Sequence, residues 1–387
     1  MRLLTQKWLG RLLLGLLTVA AVPATASAAP SHTSPVVGHV YIDDNTTGVN
    51  TIAAFDRHAD GSLTAEPGSP FIAGGQGTGS GLASQGAIQL SSDGRFVIAA
   101  DAGSNQVSVL RIERDGALRL VPNGVVPSGG ATPVSVAVHG DIVYVANAGA
   151  ADTNYSGFRL RDSGVLRPIP GATIALPSDA QPGDVLFNGD GTRLVGTRVG
   201  TSQVDSFTID HWGRAIAAPG SPFPAQGLGP FGSEFRPTDP DQLFVSNAHN
   251  VGAGTGTVSA FNDGPDGTLT PIGSSPFGDL QTAPCWVEIS HDGRFLFTVN
   301  TASGTISRYA IDRDGSLALL GSTPIRGTGG IGAVDARLSP DGRWLFLDES
   351  AAHAVGAFAV EGGSLTEVPS SPTALPAGAT PAGVAVN

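Results

Sequence analysis

The sequence is poor in the residues that carry covalent and redox chemistry. It has 387 residues, with one cysteine, Cys285, and one methionine, at its start. No intramolecular disulfide can form, so stability must come from the core and from closure of the fold. The only lysine is Lys7, close to the N-terminus. Lysine Schiff-base chemistry is therefore excluded for the rest of the chain. The lone thiol of Cys285 is expected to be buried and inert, because no histidine is locally paired with it.

Positive charge is also scarce. The formal net charge is −12, and no run of lysine or arginine occurs. Nucleic acids and anionic membranes are bound through basic faces, so neither is expected as a partner. The glycine-rich stretch 74–81 lacks the Lys-Ser/Thr pair of a phosphate-binding loop and is expected to be a flexible connection.

The N-terminus has the order of a secretory signal. Three basic residues accompany an apolar run over 12–22, which precedes a small-residue cleavage pattern at 26–28. The sequence therefore predicts a signal peptide over 1–28, a short leader over 29–37, and a secreted protein, extracellular or in the cell envelope. The run is short for a bilayer span, and no longer apolar run follows. No membrane span is predicted, with a membrane anchor at the N-terminus as the alternative.

Short turn motifs recur along the rest of the chain at a spacing of about 49 residues, in the range of propeller blades. One motif has Asp-Gly or a related pair before a strand-like run, and it recurs at 92–95, 188–191, 291–294 and 340–343. A second has Asp-Gly followed by Ser, Ala or Thr and then Leu, and it recurs at 60–63, 115–118, 266–269 and 314–317. A third, Pro-Gly-Ser-Pro-Phe, occurs at 67–71 and 219–223, with a variant at 274–277. Asp-Gly between apolar runs predicts β-hairpins with type I′ turns.

These repeats predict an all-β fold. Each unit provides four antiparallel strands, a to d, and six units begin near Gly86, Pro133, Pro182, Pro230, Pro284 and Gly332. Residues 39–71 supply strands b to d of one further blade, and its strand a is the C-terminal run 381–386. The sequence predicts a seven-bladed β-propeller over 38–387, closed by the C-terminal strand, with six or eight blades as the alternatives.

Polar residues at the end of strand b are candidate ligand contacts, because b–c loops and d–a loops share one face of a propeller. The set consists of Asp44, Asp101, Asn147, Arg198, Asn247, Asn300 and Glu349. Asparagine and aspartate in this set could also simply stabilise tight turns. Arg198 and Glu349 do not fit that role and are candidate catalytic residues.

Strand a carries further candidates beside the channel. Glu234 and Asp335 complete the catalytic set, and Trp286 is a candidate ligand contact. A ring of oxygen ligands would suit a structural calcium or magnesium ion, but no segment has the spacing of a calcium loop. No cofactor and no metal ligand are therefore predicted.

The repeats LSSDGRFVIAADAGSNQVSVLRIERDGAL and ISHDGRFLFTVNTASGTISRYAIDRDGSL resemble those of lactonase-type seven-bladed propellers. That family includes 6-phosphogluconolactonase and carboxymuconate-lactonising enzymes, and the repeats also resemble surface-layer propellers with Tyr-Val-Thr-Asn strands. The resemblance covers residues 38–387 and implies a lactonase site with Gly-Pro-Arg-His at one strand a and Asn-Glu at the end of strand b. This chain has Gly-Pro-Phe-Gly at 229–232 and Asn-Ala at 247–248, so the Arg, His and Glu of that site are absent.

Two functions follow from the sequence. The first is a monomeric binding module that takes a small molecule, a glycan or a protein on its loop-rich face, with an apolar rim of Phe231, Trp286 and Trp212. The alternative is a lactone hydrolase or lyase with a rearranged site on the b–c face, which would require the charged candidates to converge. The empty motif positions favour binding.

Overall fold

The computed structural model describes residues 34–326 and 332–387. The predicted signal peptide lies outside the described residues. The first strand begins at Val36, inside the segment predicted as a leader. Within the described residues, no helix is long and apolar enough to cross a membrane.

The strands of the described residues form seven antiparallel sheets, which confirms the predicted blade number. From strand a to strand d, blade 1 consists of β32 (Gly383–Val386), β1 (Val36–Asp43), β2 (Gly48–His58) and β3 (Leu63–Ala65) with β4 (Phe71–Gly77). Blade 2 consists of β5 (Ile88–Leu90), β6 (Phe96–Asp101), β7 (Gln106–Ile112) and β8 (Leu118–Pro127), and blade 3 of β9 (Pro133–His139), β10 (Ile142–Asn147), β11 (Asn154–Leu160) and β12 (Leu166–Ala175). Blade 4 consists of β13 (Pro182–Phe187), β14 (Arg193–Arg198), β15 (Gln203–Ile209) and β16 (Ala215–Ala217) with β17 (Phe223–Pro224).

Blades 5 to 7 follow the same order. Blade 5 consists of β18 (Pro230–Arg236), β19 (Asp239–Asn247), β20 (Thr257–Asp263) and β21 (Leu269–Pro271) with β22 (Phe277–Gly278). Blade 6 consists of β23 (Pro284–Ile289), β24 (Phe295–Asn300), β25 (Thr305–Ile311) and β26 (Leu317–Pro324). Blade 7 consists of β27 (Ala333–Leu338), β28 (Trp344–Glu349), β29 (Ala354–Glu361) and β30 (Ser364–Glu367) with β31 (Thr373–Ala374). One short 3₁₀ turn, Ser350–Ala352, joins β28 to β29.

The strands a contact one another in a closed ring around the axis, in the order β32, β5, β9, β13, β18, β23, β27 and back to β32. Closure depends on the C-terminal strand, since β32 pairs with β1 from Val40↔Val386 to Asp43↔Gly383. The sheet that contains the first strand of the chain therefore also contains the last, as the sequence predicts.

The core lies between neighbouring blades. Between blades 2 and 3, for example, Phe96 and Val107 pack against Val143 and Val145 from the next sheet. Each fully buried side chain of this size stabilises the fold by about 1.5–3 kcal/mol. Alternate residues of strands b and c face these layers, so period-two apolar patterns build the interfaces between blades.

The a–b turns differ from the predicted type I′ geometry. In the turn at 92–95, Gly94 has a positive φ of 69°, whereas Asp93 has a negative φ. The Asp93 carboxylate instead accepts hydrogen bonds from Ser91 Oγ at 2.7 Å and from the Arg95 N–H at 3.1 Å. The same pattern recurs around Asp292 and Asp341. The recurrent aspartate thus stabilises a wider loop by hydrogen bonding to it.

In four blades strand d is split at a cis Ser-Pro bond, at Ser69-Pro70, Ser221-Pro222, Ser275-Pro276 and Ser371-Pro372. Proline has no N–H to donate to the sheet, so the ladder is interrupted there. The serine hydroxyl compensates by accepting a strand c N–H, as in Ser221 Oγ from Ser206 N at 3.0 Å. The other three serines accept the corresponding N–H of their own blades.

Candidate functional site

The polar residues at the ends of strands b bond mainly within their own blades. In most blades the partner lies on strand c, seven residues further along the chain. The Asp44 carboxylate accepts from Thr51 Oγ1 at 2.8 Å, Asn147 Nδ2 donates to Asn154 Oδ1 at 2.9 Å, and the Asn300 amide lies 2.8 Å from Ser307 Oγ. Asp101 accepts from Ser108 in the same way, and also from Asn50 of blade 1.

In blades 4 and 5 the residue at the end of strand b also bonds to strand c of its own blade. Arg198 forms a two-pronged ion pair with Asp205, with both N–O distances at 2.6 Å. Asn247 reaches Ser259 Oγ at 2.9 Å across a longer b–c loop. All of these residues except Arg198 are fully buried. The arrangement joins strand b to strand c in six blades and engages these groups mainly within their own blades.

Glu349 is the exception in this set. The residue seven positions on is Gly356, and neither carboxylate oxygen of Glu349 has a hydrogen-bond partner among the described residues. A Cβ at position 356 would lie 2.5 Å from the carboxylate, so the glycine makes room for it. Burial, reinforced by the charge of Glu367, raises the pKa of Glu349 to about 7.

The mouth of the central channel is closed by the connection from blade 1 to blade 2. The segment Leu82–Gly86 crosses the axis and bonds to blades 3 to 7. Ser84 Oγ donates to Val134 O at 2.7 Å, and the Trp286 indole N–H donates to Ser84 O at 2.8 Å.

Gln85 completes this closure from the same segment. Its side chain donates to Ser233 O and accepts from Val287 N, both at 2.9 Å, and its N–H donates to Gly183 O. Gly232 must be glycine, because a Cβ there would lie 2.1 Å from Gln85 Oε1. We name the segment Leu82–Gly86 the plug. It follows the glycine-rich stretch, and sequence analysis identified neither Ser84 nor Gln85.

A charged cluster lies on the channel strands. Arg337 is 3.2 Å from Glu288 and 3.9 Å from Glu234. Burial, with the repulsion of Glu288, raises the pKa of Glu234 well above its usual range, and burial also raises that of Glu288. The side chains of Glu234 and Arg337 each keep about 20% of their surface accessible, so solvent reaches the cluster.

Asp335 has a different role beside this cluster. It is fully buried, and its carboxylate accepts from Gly86 N at 3.3 Å, Val384 N at 3.2 Å and Ala336 N at 2.9 Å. These donors belong to the plug, the C-terminal strand and blade 7. Burial raises the pKa of Asp335 to about 6. The carboxylate thus joins the three parts of the chain that meet where the ring closes.

The four catalytic candidates therefore do not form one cluster. Glu234 and Asp335 both act electrostatically on Arg337, whereas Arg198 is held by Asp205 and Glu349 lies near Glu367. Trp286 is buried and packs edge-on against Phe231 at a ring distance of 5.2 Å. Trp212 lies elsewhere, on the c–d turn of blade 4, and does not share a rim with these two residues.

A small pocket lies at the channel mouth, on the face of the b–c and d–a loops. Its volume is about 220 Å³, and it is lined by Leu82, Ala83, Ala148, Gln181, Pro182, Val199, Phe231 and His249. We name it the mouth pocket. Its lining is mostly apolar, with Gln181 and His249 as the polar side chains. Sequence analysis named Phe231 as a rim residue but missed Gln181 and His249, which lie on loops without a repeated motif.

Metal-ligating side chains come together away from the channel. Among the described residues, one group of three has its ligand atoms within 4.8 Å of one another, namely His39, Asp56 and Glu66. These residues belong to strands b and c of blade 1 and the residue after β3, and not to any strand a. Burial, followed by contact with Asp56, raises the pKa of Glu66 to about 7.

The comparison with protein families decides the family of this chain. The family model described as "Lactonase, 7-bladed beta-propeller" matches residues 48–179 and 234–381. The chain belongs to this lactonase family. No curated protein matches its sequence.

Solved structures share the lactonase fold at low sequence identity. A candidate 6-phosphogluconolactonase from Bacteroides uniformis has 20% identity and a TM-score of 0.72, covering 91% of this chain and 100% of that one. The periplasmic gluconolactonase PpgL of Pseudomonas aeruginosa has 18% identity and a TM-score of 0.69, covering 90% and 98%. A protein from Lactobacillus plantarum has 17% identity and a TM-score of 0.71, covering 90% and 99%. At these identities the likeness establishes the fold alone.

The mouth pocket includes the stretch where the lactonase resemblance places a catalytic motif. Phe231 lines it from the Gly-Pro-Phe-Gly stretch, and His249 lies two residues beyond Asn247. The side chains that line the pocket provide an aromatic surface and one imidazole, but no carboxylate and no guanidinium. This lactonase propeller thus has a mostly apolar cavity where the family motif would place charged residues.

Proposed function

We propose that this lactonase propeller is an exported binding module that takes a small, largely apolar molecule in the mouth pocket. The observation that carries the proposal is the lining of that pocket, in which Phe231 and Val199 dominate and no acid is present. Concave sites with apolar walls and a few polar groups are typical ligand sites. Gln181 and His249 would orient the ligand by hydrogen bonding.

The plug supports binding over hydrolysis at this face. Lactone hydrolysis needs a group that activates water and a group that stabilises the developing oxyanion. Arg198, which precedes the lining residue Val199 in the chain, is paired through Nε and Nη2 with both carboxylate oxygens of Asp205. The plug residues Leu82 and Ala83 form part of the pocket wall, and none of the acids on the channel strands lines the pocket.

A second function is favoured by the charged cluster. Glu234 and Glu288 flank Arg337, and a carboxyl with a raised pKa can act as a general acid or base near neutral pH. A lactone that entered the channel from the face opposite the plug would reach this cluster. The alternative function is therefore lactone hydrolysis in the channel, with Arg337 facing the carbonyl oxygen.

Binding in the mouth pocket is tested by a ligand screen on the purified chain from residue 29 onward. The screen uses a library of small apolar and aromatic compounds, detected by thermal shift and confirmed by calorimetry. Val199→Trp should fill the pocket and abolish binding of any hit, whereas Val251→Trp, at an exposed position outside the pocket lining, should leave it unchanged. Hits that bind both variants equally would contradict the proposal.

The catalytic alternative is tested with a panel of lactones in a pH-stat. Turnover that is lost in Glu234→Gln but kept in an Arg198→Ala, Glu349→Ala double variant would place hydrolysis in the channel. Turnover that is lost in the double variant instead would place it on the b–c face. Absence of turnover for every lactone, with a ligand found in the mouth pocket, is the result we expect.

A further inference from the structure

A groove rich in arginine lies on the outer edge of blades 3 and 4, on the face of the c–d turns. Its volume is about 380 Å³. It lies between the outer hairpin of blade 3, formed by β11 and β12, and the c–d turn of blade 4. The groove is lined by Arg159, Arg161, Arg167, Pro168, Ile169, Pro170, Trp212 and Arg214. Four guanidinium groups around one cavity are unusual for a chain with a net charge of −12.

The charges of this groove are only partly balanced. Arg159 pairs with Asp141, and Arg214 pairs with Asp210. Arg161 and Arg167 are exposed and have no ion pair or side-chain hydrogen bond among the described residues. Two positive charges therefore face the groove without a counterion from the protein.

The position of Arg167 adds to this excess of positive charge. In the register of β11 and β12, Arg159 stands directly opposite Arg167. Like charges at directly opposite positions destabilise an antiparallel pair. An anion held between the two guanidinium groups would remove this repulsion, and arginine favours carboxylate and sulfate-like groups because of its planar set of donors.

Trp212 gives the groove a flat apolar surface. Its side chain is 56% exposed. The Arg214 guanidinium lies 4.5 Å from its ring centroid, and the His211 ring lies 3.4 Å from it at an angle of 42°. Pro168 and Pro170 form the opposite wall. An exposed indole with a fixed orientation can stack on the apolar face of a ring, while the neighbouring arginines bind its charged substituents.

The groove continues across the neighbouring blades. Arg161 also lines a second groove of about 310 Å³, which contains Arg95 together with three aspartates. Each of these acids is paired with an arginine: Asp93 and Asp162 with Arg95, and Asp141 with Arg159. Ser163, from the same turn, lines a third of about 170 Å³ that contains Arg111 and Arg119. Arg111 and Arg119 stand directly opposite each other in the register of β7 and β8. The three grooves form a path across blades 2 to 4, which we name the arginine track.

We propose that the arginine track binds a linear acidic polysaccharide, with carboxylate or sulfate groups at Arg161 and Arg167 and a sugar ring on Trp212. The length of the track favours a polymer over a single small anion. A single-stranded nucleic acid would need several stacking platforms, and Trp212 is the only aromatic side chain among the residues that line the three grooves. This surface is separate from the mouth pocket, so the proposal does not depend on the function proposed above.

The test measures binding of polygalacturonate and heparin oligosaccharides by calorimetry at low ionic strength, with neutral dextran as the comparison. Uronate and sulfate probes distinguish the two kinds of anionic group. The Arg161→Ala, Arg167→Ala double variant should weaken binding of the preferred polymer about tenfold or more, which corresponds to about 1.4 kcal/mol. Both positions are exposed, so folding should be unaffected.

A matched control removes the same charge elsewhere. Arg313 and Arg343 are exposed and lie on blades 6 and 7, and the Arg313→Ala, Arg343→Ala double variant should bind like the wild type. Trp212→Ala should weaken binding of the oligosaccharide but not the residual binding of polyglutamate. The proposal is overturned if the wild type binds neither acidic polymer, or if the control variant loses as much affinity as the track variant. Equal affinity for polyglutamate or single-stranded DNA, unaffected by Trp212→Ala, would likewise exclude recognition of a sugar.

Discussion

At the scale of single residues, several buried carboxylates have structural roles that a sequence motif does not reveal. Asp335 accepts three backbone N–H groups from residues up to 249 positions away from it in the chain. Sequence analysis placed it beside the channel and treated it as a catalytic candidate. Its bonding partners come from tertiary structure, which a periodic pattern cannot identify.

Replacement of Asp335 should destabilise the protein strongly. Asp335→Ala leaves three buried N–H groups without acceptors, and each such loss costs about 1–3 kcal/mol. We expect the free energy of unfolding to fall by about 3 kcal/mol or more, measured by urea denaturation. Asp179→Ala, at an exposed position, should change it by less than about 0.5 kcal/mol. A loss for Asp335→Ala as small as the control would show that the carboxylate does not join these segments.

Glu349 should make stability depend on pH. Its pKa is about 7 in the folded chain, above the ordinary value of 4.5, so the folded state loses stability as pH rises through this interval. Glu349→Gln removes the buried charge. The variant should gain about 1–3 kcal/mol over the wild type at pH 8, and the gain should fall below about 1 kcal/mol at pH 5. Thermal unfolding at both pH values measures this, and a gain that is the same at pH 5 and pH 8 would contradict it.

At the scale of elements, repeated turns predict strands reliably because the turn residues act locally. The blade count and the closing strand followed from their spacing, and both are confirmed. The turn type was wrong, since Asp93 bonds to the loop with its side chain and keeps a negative φ. The b–c partners, such as Asn147 with Asn154, were available in the sequence at a fixed offset of seven residues but were not recognised.

The split in strand d makes a prediction for one hydroxyl group. Ser221→Ala removes the acceptor of the Ser206 N–H, and the proline that interrupts the strand offers no replacement. We expect a loss of about 1 kcal/mol in unfolding free energy, measured by urea denaturation. Ser178→Ala, on an exposed loop with no side-chain hydrogen bond among the described residues, serves as the control. An unchanged midpoint for Ser221→Ala would show that water replaces the hydroxyl.

At the scale of the whole molecule, buried acids determine how stability varies with pH. Burial raises the pKa of Asp44 and Asp184 to about 7 and that of Asp101 to about 6, from 3.8. A raised folded-state pKa gives stability that is present below the unfolded value and lost as pH rises through the folded value.

Unfolding should therefore occur at a higher temperature at pH 5 than at pH 8. Differential scanning calorimetry across this range should show a fall in the midpoint, with a loss of about 3 kcal/mol or more. Asp184→Asn should reduce the slope, because one of the titrating groups is gone. An exposed Asp179→Asn control should keep the wild-type slope. A midpoint that rises from pH 5 to pH 8 would contradict the assignment of these acids.

The site is less predictable from sequence than the fold. The plug and the mouth pocket are assembled mainly from loops, and the arginine track combines strand residues such as Arg159 and Arg167 with turn residues. Each of the three draws on several parts of the chain, so no single repeat contains it. Gln85, for instance, bonds to residues about 98 to 202 positions away in the chain. Periodicity describes the strands that such loops connect, but it gives no information on which loops meet.

The plug also has a consequence for the order of folding. Residues 82–86 are synthesised early, yet their hydrogen-bond partners lie in blades 3 to 7. Blade 1 also lacks its inner strand until the C-terminus is made. Contacts between distant parts of a chain form late, because long loops must close first. Residues of the propeller that leave the ribosome early are therefore among the last to reach their native positions. A chain shortened by its final strand would leave β1 of blade 1 without the inner strand that pairs with it.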